Sequence, residues 1–182
     1  MTNEAPLSRR DHGLEPEGPG WFVLNAKDGV WRENENFGRW VAFEGPERFE
    51  QLGLNIHILN TDQPACYYHR ESQAEAFLVL EGTARLIVEG EERPLAQYDL
   101  FYCPPDTAHV LVGGPDGPCK ILMMGARTGR ASIHYPVEPA AAKYGASVQT
   151  PTDDPREAYA GSGERVEIPC PWPKSGPLDL SK

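Results

Sequence analysis

At 182 residues, with 40% hydrophobic content and a net charge of −10, the chain is long enough for one cored domain and too acidic to favour nucleic acid or an anionic membrane surface as a partner. Eighteen Gly and eighteen Pro are many for a helical protein and fit frequent turns between short strands. No apolar run approaches the ~20 residues of a membrane span. Met1 to Pro6 lacks the apolar core of a secretory signal, so a cytoplasmic location is expected. Cys66, Cys103, Cys119 and Cys170 form no CxxC pair and read as reduced, mostly buried thiols rather than a zinc ribbon.

Residues 1–19 are polar and rich in Pro and Gly, which predicts a flexible arm. Trp21–Leu24 is expected as a short strand, Asp28-Gly29 as a turn, Glu33–Gly38 as a loop, and Trp40–Phe43 as a strand stopped by Gly45-Pro46. Leu54–Leu59 reads as a strand and Asn60–Pro64 as a turn. Ala65–Glu71 is extended. Ala76–Glu81 and Thr83–Val88 are strands, and Glu89–Glu92 is a hairpin turn. Arg93–Leu95 is a short edge piece. Leu100–Cys103, Ala108–Val112 and Cys119–Met124 complete about nine short strands, a spacing that indicates an all-β sandwich or barrel over residues 20–129. Residues 130–182 form an extension. Val137–Tyr144, with an early Pro, and Asp154–Tyr159, with an acidic N-terminus, are expected as short helices, and Pro169–Pro173 as an extended tail whose Trp172 packs on its own barrel or on a second copy.

The chemistry concentrates between Tyr68 and Val110. His69 and Glu71 are two apart, so a strand puts both on one face. Glu75 follows after Ser72-Gln73-Ala74, which allow a bend, and a folded sheet can return His109 beside His69. Four such groups can converge on one divalent metal. In the plainer alternative Glu71 and Glu75 face solvent and the histidines are packed, although burying two carboxylates without a cation is costly. Tyr67 shares a predicted face with His69 and is a candidate to donate to a ligand or substrate, with packing an equal alternative. His57 lies on a strand before the motif and is a weaker pocket candidate. Phe77, Phe101, Met123 and Met124 line or fill the interior.

The stretch resembles the cupin superfamily. That family's first motif is G-x5-H-x-H-x3/4-E-x6-G, and His69, Glu71, Glu75 and Gly82 keep its spacing; its second is G-x5-P-x-G-x2-H-x3-N, which Pro104, Asp106 and His109 follow. The likeness covers about residues 63–113 and implies a jelly-roll β-barrel. The departures are Glu71 for the second His, Gln63 for the first Gly, Tyr98-Asp99 for Gly-Asp, Asp106 for the motif Gly and Gly113 for the final Asn. Tyr-His-x-Glu is similar to a variant found among small bacterial cupins. The resemblance implies a metal held by His69, Glu71, Glu75 and His109, with a carboxylate the first to drop out.

Two-His, two-carboxylate ligation suits Fe, Mn, Ni or Zn. The implied function is a metal-dependent enzyme on a small organic molecule, a dioxygenase before an isomerase, epimerase or decarboxylase, with Glu71, Glu75 and Tyr67 as candidate catalytic groups. The alternative from another class is a non-catalytic small-molecule-binding barrel. Small cupins are commonly homodimers, and the N-terminal strands and the Trp172 tail are available for that contact.

Overall fold

Runs rich in Val, Ile, Leu and aromatic residues, interrupted by Gly, Pro, Asn and Asp, lay the chain out as short strands. The computed structural model describes residues 3–172. In chain order the strands are β1 (Leu7–Arg9), β2 (Leu14–Pro16), β3 (Trp31–Asn34), β4 (Gly38–Ala42), β5 (Leu52–Leu59), β6 (Arg70–Glu71), β7 (Glu75–Glu81), β8 (Ala84–Val88), β9 (Glu91–Leu95), β10 (Leu100–Cys103), β11 (His109–Gly113), β12 (Cys119–Ala126) and β13 (Ile133–His134). Helices α1 (Pro139–Ala142) and α2 (Pro155–Ala158) follow, and then β14 (Val166–Ile168). Both expected helices form but are short, and each starts on a carboxylate cap (Glu138 or Asp154) followed by Pro.

The fold is mostly β, with antiparallel ladders in a jelly-roll arrangement. A seven-stranded sheet, β10-β7-β12-β5-β4-β3-β14, faces a three-stranded sheet, β11-β8-β9. The ladders do not close into one ring, so edges remain. Edge strand β9 carries Glu91, Glu92, Arg93 and Pro94, a composition that discourages further pairing. Between the sheets lie Leu59, Phe77, Val79, Leu86, Leu111 and Ile121, all buried. Each such side chain contributes about 1.5–3 kcal/mol by leaving water.

Several segments differ from expectation. Trp21–Leu24 forms no strand: Trp21 makes one bridge to Glu4, and Val23 is 80% exposed. The segment expected as an arm carries the β1–β2 hairpin, with Leu7 opposite Pro16 and Arg9 opposite Leu14; Met1 and Thr2 lie outside the described residues. The expected loop at 33–38 shrinks to a tight turn, because β3 extends to Asn34, whose Oδ1 accepts the backbone N–H groups of Asn36 and Phe37. The tail adds β14, which pairs with β3, and sets the Trp172 ring 5.1 Å from that of Trp31 within this chain. Pro173 lies outside the described residues.

The motif departures have backbone reasons. Tyr98 (φ 73°) and Asp106 (φ 63°) stand left-handed where the family pattern has glycine. Gly113 is obligatory: a Cβ there would lie 1.9 Å from the Asn60 carbonyl oxygen. Gln63 takes up a bracing role, its Oε1 accepting from Asn60 N–H and its Nε2 donating to the Glu35 carbonyl.

Candidate metal centre

Strand register builds this site. His69 and His109 pair directly across an antiparallel bridge, each backbone N–H donating to the other's carbonyl at 3.1 and 2.8 Å. Their rings therefore lie side by side, with centroids 5.0 Å apart, and both residues are buried. Glu75 arrives on the opposing sheet at the start of β7, opposite Cys103 on β10 and Gly125 on β12. Gly125 has no side chain, and space stays open beside the carboxylate. Glu75 Oε2 lies 3.3 Å from His109 Nε2 and 4.0 Å from His69 Nε2. One ligand atom from each of the three residues falls within 4.8 Å of the others.

The outward sides of both rings are held. His69 Nδ1 is 2.8 Å from the Tyr67 carbonyl oxygen, and His109 Nδ1 is 3.1 Å from that of Thr107. A carbonyl can only accept, so each Nδ1 carries a hydrogen and each Nε2 is turned towards Glu75, where it can take a proton or a metal. Cys66 and Cys103 sulfurs back the same nitrogens at 3.7 and 3.3 Å. This is the outer support that fixes tautomer and ring orientation in histidine–metal sites.

The donor set calls for positive charge between its members. Glu75 Oε2 is buried without a well-formed hydrogen bond, and a neutral His109 would face it lone pair to lone pair. Burial alone would lower the proton affinity of His109, but the Cys103 sulfur and the Glu75 carboxylate raise it by more, to about 10. His69 is pushed down, by burial first and then by His109, against the pull of Glu75. A dication at the convergence point would satisfy all three groups, so the residues present fit a divalent metal.

The other expected residues are placed as follows. Glu71 Oε1 is 3.8 Å from His69 Nε2, beside the three converging groups but outside their cluster. Burial, and then repulsion from Glu75, raise its pKa to about 7. Tyr67 is turned away: its ring packs on Phe37 and Tyr159 and borders a separate cleft of about 960 Å³ that contains Glu157 but no histidine. Phe77 and Phe101 stack on each other and against the His109 ring. His57 and Met123 line the cavity of about 580 Å³ that opens onto the ligands, a volume suited to a small organic molecule. Asn55 and Arg127 also line it and were not singled out by sequence. Asn55 had a signal, since it shares the inward face of β5 with His57; Arg127 had none, because its place follows from a fork of hydrogen bonds to Glu44, far off in sequence. No described helix is long and apolar enough to cross a membrane.

No curated protein matches the chain. Similar solved structures include a sugar phosphate isomerase of the cupin superfamily from Silicibacter pomeroyi, 24% identical over 61% of this chain and 68% of that one, with a TM-score of 0.49. The polyketide cyclase RemF from Streptomyces resistomycificus is 13% identical over 68% of this chain and 75% of its own, with a TM-score of 0.45. An RmlC-like cupin from Shewanella frigidimarina is 18% identical over 53% and 83%, with a TM-score of 0.44. Residues 57–125, which run from the end of β5 through most of β12 and carry all the converging ligands, match the Cupin domain family. This segment of the chain is therefore a cupin domain.

Proposed function

We propose that the protein is a metal-dependent enzyme acting on a small organic molecule, with one divalent transition metal (Fe, Mn, Ni or Zn) held by His69, Glu75 and His109. The observation that carries this reading is the convergence of two Nε2 atoms and one carboxylate oxygen within 4.8 Å, with both Nδ1 atoms already tied to backbone carbonyls. A bound metal would supply Lewis-acid polarisation and open coordination positions. The chain's own groups do the rest. Phe77 and Met123 exclude water from one wall of the cavity, and Glu71, next to the cluster, is placed to take a proton from substrate or return one.

Two histidines and one carboxylate favour iron and oxygen-dependent chemistry, which puts a dioxygenase first. The position of Glu71 outside the cluster supports a second reading, an isomerase or decarboxylase in which proton transfer is the main event. The reading includes a cytoplasmic homodimer, for which sedimentation velocity at twice the chain mass is the check.

Elemental analysis of the purified protein beside His69→Ala, Glu75→Gln and His109→Ala tests the proposal. Near one metal per chain, lost in the variants, is the expected result. Nitric oxide binding to the ferrous protein, read by electron paramagnetic resonance, would support the oxygenase. A protein that takes up zinc or manganese but not iron would favour proton-transfer chemistry. Absence of binding on titration with several divalent ions would overturn the enzyme reading in favour of a non-catalytic binding module.

A further inference from the structure

We propose that the metal cavity takes a small organic anion, a carboxylate or phosphate held by Arg127 and Arg48 at the end away from the metal ligands. This rests on the proposed function for the other end of the molecule, where the metal would act. The anion-holding end is built from residues outside that centre.

Strand register sets the two ends. Glu75 on β7, Gly125 on β12 and Gly53 on β5 stand side by side in one row of the large sheet. Glu75 and Gly53 are therefore two strand spacings apart, roughly 10 Å. All three line the cavity of about 580 Å³. The two glycines leave the floor between its ends without side chains. Arg127, two residues beyond Gly125 and just past the end of β12, brings its guanidinium over Gly53. A Cβ at Gly53 would lie 2.9 Å from Arg127 Nη2, 3.3 Å from Cζ and 3.4 Å from Nε.

That guanidinium is only partly used. Nη1 donates to Glu44 Oε1 and, at 3.0 Å, to the Phe49 carbonyl; Nη2 donates to Glu44 Oε2 at 2.9 Å. Glu44 Oε1 also accepts the Phe49 N–H at 2.7 Å, which fixes the carboxylate in turn. Nε–H and the second N–H of Nη2 point the same way and form a side-on fork, the geometry that grips a carboxylate or phosphate through two parallel hydrogen bonds. Among the described residues this fork has no partner, and Arg127 Nε is not sealed from solvent as Arg39 Nε is. Bracing Glu44 needs only the other edge of the group. It does not account for a second edge kept open beside a residue with no side chain.

The charge at this end favours an anion. Arg48 lines the same cavity, is exposed, and makes no side-chain hydrogen bond or ion pair among the described residues. Burial alone would raise the Glu44 pKa, but hydrogen bonds from Arg127 and the Phe49 N–H and the charges of Arg127 and Arg48 lower it. Glu44 is thus ionised and cancels one arginine, which leaves the second uncompensated. Glu71 and Glu75, the carboxylates that line the cavity, belong to the ligand end. In a chain of net charge −10, a cavity with carboxylates at one end and arginines at the other orients a molecule that carries its negative charge away from the reacting end.

Two probe pairs isolate the charge: 4-hydroxybutyrate against 4-hydroxybutyramide, and glycerol 3-phosphate against glycerol. Each is titrated by calorimetry into the full chain at pH 7, with metal supplied and after chelation. Each anion should bind about tenfold to a hundredfold more tightly than its neutral partner in both states, the scale of charge-assisted hydrogen bonds. The anion that gains more identifies the head group. Gly53→Ala crowds the open fork, and Arg127→Lys keeps a charge for Glu44 but loses the fork. Each should cut the preference about tenfold and leave the affinity of the neutral partner unchanged. Arg48→Gln, on an exposed side chain, covers the case in which those variants do not fold and should cut the preference about threefold. Metal content is measured on every variant, and wild-type occupancy is expected. Metal uptake without anion preference would overturn this proposal and leave the metal centre standing, whereas anion preference without metal uptake would do the reverse. A preference unchanged in all three variants would also overturn it.

Discussion

Three histidines line one cavity and are treated in opposite ways: His69 and His109 are buried, and His57 is half-buried. His69 and His109 have their outer nitrogens tied to the Tyr67 and Thr107 carbonyls and backed by Cys66 and Cys103, so that only Nε2 is left to act. His57, on the neighbouring β5, has a buried Nδ1 with no partner and a Trp40 ring flat against it. The first arrangement fixes tautomer and direction, as a metal ligand requires. The second leaves Nδ1 sealed without a partner while the ring packs flat on Trp40. Hydrogen-bond satisfaction at Nδ1, together with deeper burial, separates the tied pair from His57.

The sharpest way to break the contrast is to remove a tied ligand. His109→Ala should lower metal affinity by more than the ~10–100-fold typical of losing an outer partner, whereas His57→Phe should leave metal content unchanged; competition with a chromophoric chelator measures both.

Next in size is a pH effect specific to His57. Its folded pKa is about 4, held down by burial, against about 6.5 when unfolded. Between these values the unfolded chain binds the extra proton, so this contribution is complete above pH 6.5 and is lost as pH falls towards 4. The loss is up to about 3 kcal/mol. Urea unfolding across that window should show wild type losing more stability than His57→Gln, and parallel curves would refute the assignment.

A smaller effect concerns the sulfur behind a tied ring. Cys103→Val removes the atom 3.3 Å from His109 Nδ1 but leaves the Thr107 carbonyl in place. A loss of about tenfold in metal affinity is expected, with the Nδ1 tautomer unchanged by nitrogen NMR. The smallest change tests the loop that delivers His109. Asp106→Gly relieves a left-handed residue at φ 63° and should alter stability by less than about 1 kcal/mol, with metal affinity unchanged.

Much of the double sheet is legible in the chain because alternation and turn residues act locally. Leu100–Cys103 is bounded by Asp99 and Pro104, and the turn at Gly113–Pro118 separates β11 from β12. The structure also brings His69, Glu75 and His109 together, at positions the motif spacing had marked. What spacing could not show was direction. Tyr67 was read as sharing the face of His69, but Ala65–His69 is irregular rather than a regular strand, so alternation fails and the ring turns to Phe37 and Tyr159. Trp21–Leu24 had strand composition, yet no neighbouring strand supplies a ladder for it. The β14–β3 pair joins residues more than 130 apart, and no local signal reports such a contact.

By itself, then, the sequence determined most of the short strands, the two short helices begun near Pro139 and Pro155, and the set of groups able to bind a metal. These depend on the propensity and spacing of near neighbours. Only the tertiary structure decided that Glu71 stands beside the cluster, that Cys66 and Cys103 back the ligands, and that Asn55 Oδ1 and His57 Nδ1 are sealed without a partner. Those outcomes depend on which atoms from distant strands meet within a few ångströms, and register between sheets, not composition along the chain, sets that.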